Sequence, residues 1–564
     1  MVMDNNTHRK ITIVSAVFDA QNENEIISQF MALKQTNISV ILFASHTCHK
    51  ILHEFCGDNV LLMPPVNIED FWIHTVYNEQ KNRLNMPDHR NLEKDTETYF
   101  VYRHAKHECI EKAIHENPWN TSYFIWMDFD MLYRCTNMQS VSNYLQWLNT
   151  CNWKDRVLTM PGGWSILGNE NDALNSPYWR FCGIIIGDKD SILEFCNTYK
   201  NYLPVFLEQH KKWVWEFNVW AWIEKCYPNE WNATWYQESP NIDELLMCSS
   251  DHYTKPVKSL KTWNHITHSI DYYFPGSSAY IRYQGNDYLN TRYVNYWIAE
   301  NGHYVFPDKS HKIKNKNVLS ILNPHTGSPD INYEIKENIV MNYPYYGKPI
   351  STGLEDVRLF EHNGQVKYVA TTIGYTSHGK PRIIVGDYGV AEIHNGDIIE
   401  PPTDTYCEKN WIPIMKKGSL PNVNDELFFI YKWNPMQIGK ISQKDDNSKY
   451  LEIVESIEID SLIFHRARGS TPFLETEEGL LGIVHFSEQY TPRHYYHMIV
   501  LLDKDNFNVL KYSNTFCFEK LGIEFCIGFR LTEEKNYMFW ISRHDRDPCT
   551  LIVPADEFVF SNYS

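Results

Sequence analysis

The 564-residue chain has no window approaching the ~20 consecutive apolar residues that span a bilayer, no low-complexity tract and no Cys-x-x-C spacing. A membrane-spanning helix and long disorder are therefore excluded as organising features. An odd count of 13 scattered cysteines suits reduced thiols better than a disulfide framework or a zinc ribbon. Basic residues are also in deficit, 52 Lys and Arg against 70 Asp and Glu for a formal charge of -18. A chain without a clustered basic surface is a poor match for nucleic acid, which is excluded as a partner. The first apolar run, "ITIVSAVF", is short and lacks a cleavage site, so it reads as a first β-strand and the expected location is the cytoplasm. His49 and His53 stand four apart but lack further ligands, so they read as a solvated helix face.

What is present in quantity is aromatic: 18 Trp and 36 Tyr, side chains that floor sugar and nucleotide sites as readily as they fill sheet cores. The length calls for two or three domains. Between residue 10 and about 250, short β-branched runs such as "ISVILFAS", "YFIWMDF" and "FCGIIIGD" alternate with helical patterns near 23–35, 104–116, 188–204 and 216–226. That alternation predicts an α/β domain with a largely parallel sheet, whose ligands bind beyond the carboxyl ends of the strands. From about 275 the pattern changes to hairpins, clearest in "DVRLFEHNGQVKYVATTI", "TPFLETEEGLLGIVHF" and "GFRLTEEKNYMFWIS", with "RYVNYWIAENGHYVF" and "NDELFFIYKWNP" as weaker relatives. The repetition predicts a five-bladed β-propeller, with a pair of β-sandwiches as the alternative. The join is expected in "HSIDYYFPGSS" at 268–278, giving domains of 1–270 and 271–564.

Asp128 and Asp130 stand two apart at the end of the "YFIWMDF" strand, a spacing that lets both carboxylates reach one side. Paired hard oxygen ligands suit Mn²⁺ or Mg²⁺ carrying a diphosphate leaving group. "NPWNTSYFIWMDFDM", with "TIVSAVFDAQ" before it and "FCGIIIGDKDSILEFCNTY" after it, resembles the HtrL/YibB family of bacterial glycosyltransferases over roughly residues 10–230. The resemblance implies a GT-A fold, a nucleotide-sugar donor, a glycan acceptor and a divalent metal, although the usual family pattern lacks the second acid that Asp130 supplies. Glu216 opens the Trp-rich helix "WVWEFNVWAWIE", where a carboxylate serves either as a base on an acceptor hydroxyl or as a helix N-terminal charge. His265 in "NHITHS" is a candidate third metal ligand, as in many GT-A enzymes.

The second half carries its own polar set at strand starts: Glu355, Asp356 and Arg358 in "GLEDVRLF", Arg466 and Arg468 in "HRARGSTPF", and His485 in "GIVHF". An acid among Arg, Lys and His is wiring for acid catalysis beside an anion. The order Glu355-Asp356-Val357-Arg358, Lys409-Asn410-Trp411, Arg468-Gly469-Ser470-Thr471-Pro472, His485 and finally Asp545 in "ISRHDRD" resembles the family-130 glycoside hydrolases and phosphorylases, five-bladed propellers acting mainly on β-mannosides. A related group of mannosyltransferases shares that propeller. The resemblance implies Asp356 as general acid, Lys409, Lys432, Arg466 and His485 around phosphate or a sugar phosphate, and Glu355, Arg358 and Asp545 as further substrate-binding residues. Val357 and Arg468 depart from the family's Pro and Gly. The competing readings are a non-catalytic glycan-binding propeller relying on Trp411, Trp433 and Tyr490, and a propeller that is the only active enzyme of the chain.

Overall fold

The computed structural model describes residues 10–18, 22–151, 153–239, 241–299, 302–323, 327–341, 347, 349–417, 424–488 and 493–563, so that Tyr490 lies outside the described residues. The chain divides into two compact units, one of residues 1–253 with Asp460–Leu462 and one of the remainder. Among the described residues no disulfide links two cysteines, and no helix is long and apolar enough to cross a membrane.

The first unit is a seven-stranded sheet with helices. Its strands are β1 (Ile11–Val17), β2 (Ser39–Ala44), β3 (Val60–Leu62), β4 (Tyr123–Trp126), β5 (Leu158–Gly162), β6 (Ile185–Asp188) and β7 (Thr234–Gln237), and its helices α1 (Glu23–Gln35), α2 (His46–Leu52), α3 (Trp72–Gln80), α4 (Glu97–Glu116), α5 (Met138–Thr150), α6 (Lys189–His210) and α7 (Glu216–Cys226). The sheet order is β3-β2-β1-β4-β6-β5-β7. The first four strands are mutually parallel, as the sequence predicts, while β6 runs antiparallel to both β4 and β5 and makes the sheet mixed. β2 is buried at every position, the signature of a strand covered on both faces. Side chains of Thr96, Asn137 and Asp188 accept backbone N–H groups at the starts of α4, α5 and α6 and fix where each helix begins. The sheet order reverses at β1, which has β2 on one side and β4 on the other, and Asp128 follows the carboxyl end of β4 at that switch point.

The second unit consists of five antiparallel modules. The first four are Phe274–Tyr283 with Asn286–Val294, Ile313–Leu322 and Pro329–Glu334; Glu355–His362 with Gln365–Thr372, Arg382–Tyr388 and Glu392–Glu400; Ile412–Lys416 with Glu426–Trp433, Met436–Gln443 and Lys449–Ile457; and Arg468–Gly469 with Leu480–Glu488, His494–Leu502 and Val509–Ser513. The fifth is Glu524–Leu531, Tyr537–Arg543 and Arg546–Val553, completed by Lys261–Trp263 from the start of the unit.

Consecutive modules pack against one another through apolar side chains. Leu319 joins Leu359 and Tyr368, Phe360 joins Trp411 and Phe429, and Ile483 joins Phe529 and Phe539 in shared apolar clusters. Between the third and fourth modules, a Cβ on Gly469 would come within 2.4 Å of the Asn410 carbonyl oxygen, so only glycine allows that approach. The fifth module returns to the first through the Tyr280 and Trp540 rings, stacked at 4.5 Å. The ring is closed, which is the arrangement of a five-bladed propeller.

Two expectations need correction. The join does not fall at 268–278, because Lys261–Trp263 already belongs to the fifth module. "RYVNYWIAENGHYVF" is not a module: its start ends the second strand of the first module, and Trp297–Ile298 pairs with Tyr304–Val305 as a small separate hairpin.

Candidate functional site

In the propeller, the polar residues at strand starts converge. Register slips between Glu355 and Arg358, a bulge that bends the strand and re-aims its side chains. Asp356 sits in that bulge in the left-handed region at φ 54°. Arg292, contributed by the first module, donates from Nη1 to Asp356 Oδ1 at 2.9 Å and lies 3.8 Å from Glu355 Oε1, while its Nε donates to Asn315 Oδ1 at 2.8 Å. Lys409 Nζ donates to Glu355 Oε1 at 2.6 Å. Although burial pushes the Glu355 carboxyl up, Arg292 and Lys409 outweigh it and hold the group below the usual range. Tyr296 Oη donates to Asp545 Oδ2 at 2.9 Å, and burial raises the Asp545 carboxyl above the ordinary value against the pull of Arg292.

Beside this cluster a cavity of about 450 Å³ is lined by Lys409, Lys432, Arg468, Asn410, His465 and Trp433, among others. Lys409 belongs to both: it lines the cavity, and its ammonium is paired with Glu355. Three cations around a cavity of this size suit an oxyanion such as phosphate.

The predicted residues are therefore distributed unequally. Glu355, Asp356, Lys409 and Asp545 share one ion network, in which Arg292 feels all three acids, and Lys432 lines the cavity. Arg358 is spent on structure, donating to the Ser470 carbonyl at 2.6 Å, to Asn410 Oδ1 at 2.9 Å and to the Asp356 carbonyl at 3.1 Å. Arg466 is absent from the cavity lining and lies 3.8 Å from Glu488. His485 is buried, with its ring 5.0 Å from Phe525, and burial pushes its pKa far below the ordinary value, so it is neutral at physiological pH. Trp411 is core, its indole N–H held by Glu408 at 2.9 Å, and offers no platform to a glycan. Sequence reasoning missed Arg292 and Tyr296, which carry no motif, and placed Arg468 in the polar set at strand starts without assigning it to phosphate.

In the first unit, Arg103 and Lys106 stand three apart on α4 and so face one way. Arg103 donates to Asp128 Oδ2 at 2.7 Å and, through Nη2 and Nε, to both Glu216 oxygens at 2.7 and 3.2 Å. Lys106 Nζ lies 2.7 Å from Glu216 Oε1 and 3.6 Å from Asp128 Oδ1. Gly183, at φ 81°, packs so close that a Cβ there would meet Arg103 and Lys106 at 3.1 Å. The two cations override burial, drawing the Glu216 carboxyl down to about 2 and Asp128 well below the carboxylate range. A fully buried carboxylate that holds its proton so weakly is a poor general base. Glu216 is an anchor for Arg103 and Lys106 rather than a group that meets an acceptor.

The residues present do not fit a divalent metal cage. Asp128 is already held by two cations, and Asp130 is ion-paired with Arg134. His265 is buried in the second unit with both ring nitrogens committed, Nε2 to Ser278 Oγ at 3.0 Å and Nδ1 to Thr550 Oγ1 at 2.9 Å, which corrects its reading as a ligand. Among the described residues no group of three or more His, Cys, Asp or Glu side chains is placed to hold a metal ion.

No family model and no curated protein matches the sequence. Solved structures with a similar chain trace include β-1,2-mannobiose phosphorylase from Listeria innocua, at 13% identity and TM-score 0.32 over 52% of this chain and 93% of that one. MPT-4, a mannose phosphorylase from Leishmania mexicana in complex with phosphate, gives 12% identity and TM-score 0.36 over 55% and 94%. MPT-1, a GDP-Man-dependent mannosyltransferase from the same organism, gives 12% and 0.33 over 51% and 87%. These are likenesses of trace over about half the chain, and the functional reading below rests on the site itself.

Proposed function

We propose that the propeller unit breaks or forms a glycosidic bond by acid catalysis, with phosphate or a sugar phosphate held in the adjoining basic cavity. The observation that carries this reading is the sharing of Lys409: carboxyl groups of Glu355, Asp356 and Asp545 gather around Arg292, and Lys409, paired with Glu355, also lines a cavity with Lys432 and Arg468. Acid catalysis needs a carboxyl able to give a proton to a leaving oxygen, and an anionic nucleophile needs fixed cations within reach. The motif order resembling mannoside phosphorylases points to β-mannosides as the first substrates to test.

The α/β unit supports a second activity, binding of a nucleotide sugar at the switch point of its sheet. Asp128 stands just beyond the carboxyl end of β4, where such ligands lie, with Arg103 and Lys106 at its side. In this reading the chain is a two-unit glycosyl-transferring enzyme, with a GT-A-like unit before the propeller. Incubating the full chain with β-mannobiose and inorganic phosphate, and separately with nucleotide sugars and a glycan acceptor, tests the two parts independently. Formation of mannose 1-phosphate supports the propeller reading, and consumption of a nucleotide sugar supports the first-unit reading.

A further inference from the structure

Three carboxyl groups meet at the propeller site, and its cations are shared unequally among them. Asp356 has Arg292 at 2.9 Å, and Glu355 has Lys409 at 2.6 Å and Arg292 at 3.8 Å. Asp545 has no cation within ion-pair distance among the described residues, and its polar contact is the Tyr296 hydroxyl at 2.9 Å. The groups that face it are Arg292, Tyr296 and Tyr304 from the first module and its following loop, Glu355 and Asp356 from the second, and Tyr495 from the fourth. A third carboxyl crowded against two that already hold the cations is the one on which ionisation is least favourable. Asp356 is buried at 8% exposure, and Asp545 is partly buried. Its backbone is fixed in the left-handed region at φ 55°. The Gly276 backbone packs so closely that a Cβ there would come within 2.9 Å of the Asp545 carbonyl oxygen, so the loop cannot shift that way.

We propose that Asp545 carries the proton delivered to the glycosidic oxygen, and that Asp356, clamped by Arg292, is the fixed charge beside the reacting sugar. This rests on the reading that the propeller acts on a glycosidic bond. In the phosphorolytic direction the bond between anomeric carbon and glycosidic oxygen breaks, and its electron pair stays on that oxygen, which takes the proton from the Asp545 carboxyl. A phosphate oxygen forms the new bond to the anomeric carbon, and the Asp545 carboxylate recovers a proton from solvent. The division of labour follows from environment: two acids of one type are set to different tasks by their neighbours.

The test uses the full chain with phosphate and two substrates, β-mannobiose and a nitrophenyl β-mannoside, whose leaving group departs without a proton. For Asp545→Ala, kcat/KM on the disaccharide should fall about 10²- to 10⁴-fold, the range for losing a general acid, and recover toward wild type on the nitrophenyl substrate. Asp356→Asn should lose turnover of both. In an infrared pH titration, one protonated carboxyl should persist above the ordinary aspartate range in wild type, titrate lower in Asp356→Asn, where a neighbouring charge is gone and Arg292 is freed, and be missing from Asp545→Asn. Equal loss of both substrates in Asp545→Ala, an unimpaired disaccharide reaction, or a persisting protonated carboxyl in Asp545→Asn would each overturn the assignment. If wild type turns over neither sugar, it is the glycosidic reading that fails, and the infrared titration still decides where the proton sits.

Discussion

Arg468 is a residue whose meaning changed on folding. In the sequence it replaces a glycine of the resembled motif; in the structure it lines the basic cavity with Lys409 and Lys432. On the proposed function, replacing it with Ala should raise the KM for phosphate about tenfold or more while kcat at saturating phosphate changes little, the pattern of a residue that holds the anion alike in ground and transition states. Initial rates across phosphate concentrations check this, and an unchanged KM would remove Arg468 from the site. At this scale the sequence was informative where chemistry is written in local motifs, as at Glu355, Asp356, Lys409 and Asp545. It was silent on Arg292 and Tyr296, which lie in an ordinary-looking strand and its exit and reach Asp356 and Asp545 only when the ring closes. His485 and Arg358 show the opposite failure: one was expected on phosphate and the other on substrate, but the first is buried neutral and the second is consumed largely by backbone carbonyls.

At the scale of elements, α4, β4 and α7 are tied by one neutral set of charges, Arg103 and Lys106 against Asp128 and Glu216. Glu216 is 0% exposed and Lys106 1%, so Glu216→Gln leaves a buried ammonium short of its main partner and should cost about 3–5 kcal/mol in denaturant unfolding of this unit. The folded-state pKa of Glu216, about 2, lies below its unfolded value of roughly 4.3. The stabilisation is therefore fully present above that unfolded value and is lost as pH falls from there toward 2. The unfolding midpoint of wild type should drop more steeply through this window than that of Glu216→Gln, and parallel curves would show that Glu216 carries no such linkage. Periodicity placed α1 and α7 at their observed bounds and found four strands of the parallel set, because continuous buried apolar runs are strong signals. It missed β5 and β7, where "LTMPG" contains Pro and Gly and "TWYQ" is partly exposed, and it could not give the direction of β6.

For the whole molecule, the expected number of five modules agrees with the fold, although one of the five hairpins counted, "RYVNYWIAENGHYVF", is not a module and the first module's own hairpin, Phe274–Tyr283 with Asn286–Val294, was not read. The closure was not legible, because the strand that completes the fifth module is the three-residue Lys261–Trp263, mostly exposed and nearly 300 residues from its partner Arg546–Val553. A chain beginning at residue 270 should lose this strand and leave the fifth module with an open edge. Its propeller should unfold at markedly lower urea than that of a chain beginning at 254, and equal midpoints would show that the closing strand contributes nothing. The central claim is that the acid cluster and the basic cavity act together on a glycosidic bond, and ³¹P NMR of the full chain with β-mannobiose and inorganic phosphate tests it most directly. The account predicts a growing mannose 1-phosphate signal that is absent for Asp356→Asn. A folded wild type that leaves the phosphate resonance unchanged in this mixture, or an Asp356→Asn variant that turns over at the wild-type rate, would contradict it.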